Sequence, residues 1–158
     1  MLISIVRRKR VTGLPSWHKE IMTHFIKIYL VSFFVFFAID LLWLGVIAKN
    51  LYKEQIGHLM TSDIRWGAAL LFYCIYLVGL MVFAILPALK ENNWVYSLGY
   101  GSLFGFMCYA TYDLTNLATL KDWPVKIVVY DLLWGSFISG VVALIVYWVG
   151  STWKNSFN

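Results

Sequence analysis

The sequence lacks the short motifs by which many enzymes are recognised. It contains no glycine-rich phosphate loop, no serine nucleophile elbow and no paired-histidine motif. Its three histidines lie outside the apolar stretches and form no ligand cluster, so neither a metal site nor a cofactor is predicted. Its two cysteines lack the close spacing of a thiol-exchange pair and are interpreted as small apolar residues.

Charge is also scarce, and this scarcity sets the class of the protein. Four long stretches contain neither lysine nor arginine, and 61% of the 158 residues are hydrophobic, more than in a soluble domain. About 20 helical residues cross the ~30 Å core of a bilayer, and each stretch is long enough to do so. The sequence therefore predicts an all-α integral membrane protein, a bundle of four transmembrane helices in one domain, residues 23–153. The predicted spans are residues 26–48, 66–89, 95–120 and 125–150.

The distribution of basic residues predicts the orientation of the bundle. Cytoplasmic segments of membrane proteins carry an excess of lysine and arginine. With both termini inside, eight basic residues are cytoplasmic and five are not, and the first 27 residues supply most of the difference. Both termini are therefore predicted to be cytoplasmic. The inner set is Arg7, Arg8, Lys9, Arg10, Lys19, Lys27, Lys90 and Lys154, and the outer set is Lys49, Lys53, Arg65, Lys121 and Lys126.

Residues 1–22 precede the first span and have two interpretations. Their apolar run, residues 2–6, is short and is followed by charge, which does not match a secretory signal peptide. One interpretation is a basic cytoplasmic tail that contacts lipid headgroups rather than nucleic acid. The other is an over-long start, because Met22 stands just before the span.

Three aspartates interrupt the apolar stretches and give the strongest functional signal. Asp40, Asp113 and Asp131 have no basic residue within their own stretches. Because a charged carboxylate is costly in hydrocarbon, an intramembrane acid is interpreted by default as part of a functional site. In the predicted topology the three acids lie about 7 to 14 Å below the extracytoplasmic surface. Desolvation and like-charge crowding predict that at least one holds a proton at neutral pH, so they are candidate proton carriers or general acids.

Aromatic and polar side chains are expected at the same depth. The third residue after each acid shares its helix face, which adds two tryptophans and an asparagine as hydrogen-bond donors. Tyrosines of the second and third spans fall near the same level. The predicted ligand-binding residues are Trp43, Tyr73, Tyr76, Tyr109, Tyr112, Asn116 and Trp134.

Small residues recur every four positions on the last two spans. Gly101 and Gly105 share a face of the third span with Tyr109, and Gly135 and Ser139 share a face of the fourth. Small residues permit close contact between helices. The pattern predicts a bundle that is tight in its inner half and splayed in its outer half, with a pocket open toward the outer leaflet.

The extracytoplasmic link, residues 49–65, is predicted to contain a short amphipathic helix. Its apolar residues Tyr52, Ile56, Leu59 and Met60 fall at helical spacing. Anchoring at the membrane surface and a movable cover over the pocket are the two interpretations of this helix.

Several of these residues also form the pattern of a known family. The pattern comprises Asp40 with Trp43 and Gly45, residues 109–119 (YATYDLTNLAT), Trp123 with Pro124, and Asp131 with Trp134 and Gly135. It resembles an uncharacterised family of small bacterial four-span membrane proteins over roughly residues 23–150. The resemblance implies a four-helix fold in the bacterial inner membrane, and it brings no substrate, activity or catalytic assignment.

Three acids at one depth are compatible with several functions. The preferred interpretation is an acidic and aromatic pocket in the periplasmic half that binds a small amphipathic or cationic ligand, or transports it with protons. One alternative is a lipid- or isoprenoid-modifying enzyme with an aspartate general acid, and another is a non-catalytic assembly subunit. In a purely structural role the acids would tie helices together at ~0.6 to 2 kcal/mol per hydrogen bond. Membrane lipids and the ligand are the expected partners, nucleic acid is not, and homo-oligomerisation is left open.

Overall fold

The computed structural model describes the backbone of residues 16–155 and the side chains of residues 19–153. Most of the predicted tail, with Arg7, Arg8, Lys9 and Arg10, lies outside the described residues, as does the side chain of Lys154. The α-helices are α1 (Ser16–Leu42), α2 (Lys49–Ile56), α3 (Trp66–Leu80), α4 (Leu86–Glu91), α5 (Trp94–Thr119) and α6 (Val125–Asn155).

Three helical stretches have the length and hydropathy to cross a membrane. They are Lys19–Ile47, Trp66–Glu91 and Val125–Trp153. The all-α membrane class is therefore confirmed for the described part of the chain. Helix α5 has 26 residues but contains many serine, threonine and tyrosine side chains, and it is not among the three. The predicted span at residues 95–120 and the cytoplasmic termini stay predictions.

Within residues 16–155, two π-helical turns widen the backbone. The turn Met81–Ile85 joins α3 to α4, and Pro87 follows it in the first turn of α4. Because proline lacks an N–H group and its ring clashes with the carbonyl four residues earlier, a widened turn accommodates it inside a continuous span. The second turn, Trp43–Ile47, continues α1 after Leu42 and begins three residues after Asp40. Such turns are frequent at functional sites.

A two-residue turn reverses the chain between α4 and α5. Asn92 adopts a left-handed conformation with φ 52°, which asparagine tolerates better than most residues. Asn93 then caps α5, because its Oδ1 accepts a hydrogen bond of 3.1 Å from the backbone N–H of Tyr96. Helix α5 therefore runs back beside the preceding span.

Helices α5 and α6 form the most extensive helix pair. A Cβ atom on Gly105 would overlap the carbonyl oxygen of Gly135 and the hydroxyl of Ser139, and one on Gly101 would lie 2.7 Å from the Cβ of Ala143. The spacing of small residues thus predicts this contact correctly.

Two apolar clusters hold the elements together. The main core joins α1, α3, α4, α5 and α6, and its fully buried members include Ile28, Leu77, Leu80, Met81, Ile138 and Val142. The second cluster lies at the α6 start, where Trp123, Ile127 and Val128 pack against Leu51, Tyr52 and Ile56 of the link. The predicted link helix is therefore present as α2, and it packs onto the beginning of α6.

Candidate functional site

Asp40 continues the buried face of α1 formed by Ile28, Ser32 and Phe36 at intervals of four residues. Its side chain is 5% exposed. The Tyr73 hydroxyl donates to Oδ2 at 2.7 Å and the Trp134 indole Nε1 donates to Oδ1 at 3.2 Å. Both carboxyl oxygens of this acid are therefore satisfied, by neutral aromatic donors from α3 and α6.

Asp131 lies near the start of α6 and is 7% exposed. The hydroxyl of Tyr52, on α2, donates a hydrogen bond to Oδ1 of this carboxyl group. The indole Nε1 of Trp43 in turn donates to the Tyr52 hydroxyl oxygen at 3.2 Å. Burial, and then the hydrogen bond to Asp131, raise the pKa of the Tyr52 phenol above its ordinary value. Tyr52 therefore remains a neutral donor at physiological pH.

The indole rings of Trp43 and Trp134 connect these two acids. Their centroids are 4.2 Å apart and their planes differ by 8°. Trp134 donates to Asp40, whereas Trp43 donates to the tyrosine that binds Asp131. The two carboxyl groups also lie within electrostatic range of each other. We call Asp40, Trp43, Tyr52, Tyr73, Asp131 and Trp134 the acid–aromatic cluster.

Tyr76 and Tyr109 lie beneath this cluster, toward the glycine contact between α5 and α6. The hydroxyl of Tyr76 is 2.5 Å from Ser139 Oγ, and Ser139 donates to the carbonyl of Gly135 at 2.6 Å. The ring of Tyr109 lies so close to Gly135 that no Cβ would fit there. Tyr109 also interacts electrostatically with Asp40 and Tyr76. Both tyrosines therefore pack at the small-residue contact between α5 and α6, within electrostatic range of Asp40.

Asp113 differs from the other acids because neither of its carboxyl oxygens has a hydrogen-bond partner among the described residues. Its side chain is 0% exposed. The indole of Trp123, in the link before α6, lies beside it and interacts with the carboxyl group as a hydrogen-bond donor, although the two groups do not reach hydrogen-bonding geometry. Asp131 is within electrostatic range. Since buried polar groups are almost always paired, the Trp123 indole is the natural partner of the Asp113 carboxyl group.

Two predicted ligand-binding residues lie outside the acid–aromatic cluster. Tyr112 is 59% exposed, and its ring packs edge-on against Trp123 with centroids 5.9 Å apart. Asn116, one turn further along α5, is half-buried. The structure thus groups Trp43, Tyr73 and Trp134 with Asp40 and Asp131, and it groups Tyr112 with Asp113.

The sequence alone predicts no site role for Tyr52, Trp123 or Ser139. In the sequence, Tyr52 belongs to the apolar face of the link helix, and Trp123 marks the turn into α6. One signal is available, because a buried tyrosine or tryptophan usually finds a partner for its polar atom. Which partner it finds depends on the packing between elements, and a periodic pattern does not contain that information.

Metal binding has no support from the geometry of the described side chains. No group of three or more histidine, cysteine, aspartate or glutamate residues among them is arranged to hold a metal ion. Cys74 and Cys108 are free thiols.

Comparisons with known proteins give one match. The model of a family described as "Predicted membrane protein (DUF2177)" matches residues 25–148, which is more than half of the chain. No curated protein and no solved structure matches the sequence.

Proposed function

The chain belongs to the predicted membrane protein family DUF2177, and from this premise we propose that it binds a small amphipathic or cationic ligand, or transports it, in exchange for protons. The site is the acid–aromatic cluster with Asp113, in the periplasmic half of a four-span bundle in the bacterial inner membrane. Both termini of this bundle are cytoplasmic.

The additional span in this proposal is α5, which is the third of the four in chain order. It is 26 residues long, about 39 Å at 1.5 Å per residue, which is enough to cross a bilayer. It packs along α6 over close glycine contacts, so it lies at the same depth as a helix that has the hydropathy of a span. The more polar side chains of α5 are tolerable at that depth because contact with α6 shields part of its surface from lipid.

The functional proposal rests on the three acids having no basic partner among the described residues. Asp40, Asp113 and Asp131 are all nearly or fully buried, and the hydrogen-bond donors to them among the described residues are phenols and an indole. Phenols and indoles do not neutralise a carboxylate. Because an uncompensated charge in an apolar interior is very costly, each acid must carry either a proton or a cationic ligand. Exchange of one for the other is proton-coupled binding.

The aromatic residues around the acids suit the apolar part of such a ligand. Trp43 and Trp134 present stacked indoles beside the carboxyl groups, and Tyr76 and Tyr109 lie within electrostatic range of Asp40. Aromatic faces attract cations as well as apolar groups. A ligand with one charged end and one apolar end would therefore satisfy both features of the site.

Calorimetry tests this proposal. The purified chain in lipid discs is titrated with octylammonium, with octyl sulfonate as the anionic control and empty discs as the blank. Titration in two buffers of different ionisation enthalpy gives the number of protons released. We expect roughly one proton per cation bound at neutral pH, because the ligand replaces a proton on a carboxyl group.

Two variants make this test specific. Asp40→Asn with Asp131→Asn should abolish the proton release, whereas Asp63→Asn, which removes an exposed carboxylate in the link before α3, should retain it. Octylammonium binding no greater than in empty discs, or binding without proton release, would contradict the proposal. A chemically altered lipid in the discs would favour the enzymatic alternative instead.

A further inference from the structure

The two acids of the acid–aromatic cluster are closed to a ligand in this structure. Asp40 is 5% exposed and Asp131 is 7% exposed, and each is covered by an aromatic residue that donates to it. A proton on either acid is exchanged for a cation only if one of the covering elements moves. The covering residues differ in how firmly they are held, and this difference indicates which element moves.

Helix α2 is the least buried of the elements that contribute to the cluster. The partners of Asp40 come from α3 and α6, which are anchored in the main core by residues such as Leu77 and Ile138. None of the residues of α2 is buried, and the same holds for the π-helical turn Trp43–Ile47 before it and the 3₁₀ turn Gly57–Leu59 after it. Segments with few buried apolar contacts open at a lower free energy than the core does. Helix α2 is therefore the element that can move while the rest of the bundle stays intact.

Two contacts hold α2 against the bundle. The Tyr52 hydroxyl donates to Oδ1 of Asp131, and the apolar face of α2 packs onto the beginning of α6. The opposite face, with Lys49, Lys53 and Glu54, is exposed. Because an amphipathic helix of this kind is stable at a membrane surface, α2 keeps a favourable environment when it separates from α6.

The backbone at both ends of α2 suits a hinged movement. Ala48 joins the turn Trp43–Ile47 to α2 and is 2% exposed, so this end of α2 stays attached to the bundle. Its φ of −101° and ψ of 2° depart from helical values and separate the two helical segments. Residues 60–65, at the other end, are exposed and lie outside the helices. A rotation about Ala48 would therefore lift Tyr52 away from Asp131 while residues 60–65 follow.

We propose that α2 is a cover over Asp131, and that Tyr52 keeps it closed by occupying the carboxyl oxygen to which a cationic ligand would bind. This inference rests on the proposed function and names how access to its site is controlled. The phenol and an ammonium group both donate to the same acceptor, so they compete for it. Whichever of them is bound, the buried carboxyl oxygen has a partner, and the exchange avoids the cost of an unsatisfied acceptor. In the open state the Tyr52 hydroxyl meets the polar surface of the membrane, where tyrosine is favoured.

Chemical labelling tests the cover directly. The full chain in lipid discs is treated at one fixed pH with dicyclohexylcarbodiimide, an apolar reagent that modifies accessible carboxyl groups within membranes. Modified Asp131 is measured over time by peptide mass spectrometry. Tyr52→Phe keeps the ring and removes the hydroxyl, so labelling of Asp131 should become about tenfold faster or more, as expected for the loss of a hydrogen bond to a charged group.

Two further variants separate movement of α2 from a local effect on the acid. Ile56→Ala shortens a side chain that packs onto the beginning of α6 and leaves the Tyr52 hydroxyl in place, so it should also accelerate the labelling of Asp131. Tyr130→Phe makes the same chemical change as Tyr52→Phe directly beside Asp131 in the sequence. Because Tyr130 is exposed on α6, the labelling rate of this control should match that of the original protein.

The calorimetric titration of the proposed function gives a second measurement. Removal of the competing phenol should tighten octylammonium binding about tenfold in Tyr52→Phe, with no change in Tyr130→Phe. A purely structural tyrosine would behave differently. Its loss would lower the thermal midpoint without accelerating the labelling or tightening the binding.

Several outcomes would overturn the proposal. The cover is ruled out if Tyr52→Phe and the original protein are labelled at the same rate, if Ile56→Ala has no effect, or if Tyr130→Phe accelerates the labelling as much. Octylammonium binding that is no tighter in Tyr52→Phe would exclude the competition for Asp131. If labelling behaves as expected while octylammonium binding releases no proton, the proposed function fails and the cover stands. If protons are released as expected while the labelling rates are equal, the cover fails and the proposed function stands.

Discussion

Asp40 receives its indole hydrogen bond from Trp134, which lies on a different helix three residues after a different acid. The tryptophan at the equivalent position after Asp40 is Trp43, and it binds Tyr52 instead. Each tryptophan therefore supports the acid that is not its own neighbour in sequence. Trp134 donates directly to Asp40, and Trp43 donates to the tyrosine that binds Asp131. The site depends on the packing of α1 against α6, and substitutions on either helix should affect the other.

Trp134→Phe is expected to lower the free energy of unfolding by about 1 to 3 kcal/mol. The substitution keeps a ring next to Trp43 but leaves one oxygen of buried Asp40 without a donor, and an unsatisfied buried acceptor costs about that much. Reversible denaturation in detergent would measure the change. Trp148→Phe is the control, because Trp148 is exposed and should tolerate the change. Equal effects at both positions would contradict the role of the hydrogen bond.

Substitution of asparagine should have opposite effects at two of the acids. Asp40→Asn places an amide NH₂ group among the donors of Tyr73 and Trp134, so we expect a loss of stability. Asp113→Asn removes a buried acid but keeps an amide oxygen that can accept from the neighbouring Trp123 indole, so stability should be unchanged or higher while ligand binding is lost. Thermal midpoints of the two variants, measured in the same detergent, give the comparison. A large loss of folded protein for Asp113→Asn would favour a structural acid.

Gly105→Ala should separate α5 from α6. Its new methyl group would overlap the carbonyl of Gly135 and the hydroxyl of Ser139, and overpacking of this kind typically costs about 1 to 3 kcal/mol. Gly99→Ala is the matched control on the same helix, since no atom lies within 4 Å of the place its methyl group would take and alanine favours helix by about 0.5 to 1 kcal/mol. Unfolding curves should therefore shift in opposite directions. Parallel losses would show that α5 tolerates no side chain on any face.

The stability of the protein should fall at alkaline pH partly through Tyr52. Its pKa is raised in the folded protein, so the folded state holds the phenolic proton more tightly than the unfolded chain, in which tyrosine titrates near pH 10. This contribution is fully present below about pH 10 and is lost as the pH rises above it. Tyr52→Phe should make the decline of the unfolding free energy with pH shallower in that range. Parallel curves for the two proteins would contradict the prediction.

Much of the fold can be predicted from the sequence because hydrocarbon imposes strong rules on composition. The apolar stretches, the link helix over Tyr52 and Ile56, and the glycine contact between α5 and α6 each follow from a periodic pattern. The burial of Asp40, Asp113 and Asp131 follows from the cost of exposing an acid to lipid. Each of these features can be predicted from the sequence of a single helix, or from one face of that helix.

The hydrogen-bond partners could not be predicted in the same way. The pairing of Trp134 with Asp40, and of Tyr52 with Asp131, depends on how the helices are rotated about their axes, and this is decided by packing of the whole core. The isolation of Asp113 from the acid–aromatic cluster has the same origin. Helix α1 also extends from Ser16, ahead of the predicted span at residues 26–48, because charged residues such as Lys19 and Lys27 lower hydropathy without ending a helix.

The modest hydropathy of α5 bears on how the protein is made. A segment with this many hydroxyl groups enters the lipid phase less readily on its own than its neighbours do. Its glycine face, however, fits directly onto α6, and only a short link separates the two helices. In the proposed topology, α5 would therefore be integrated during synthesis as one arm of a helical hairpin, after α6 has emerged to shield it. Insertion of the third span would then depend on translation of the fourth.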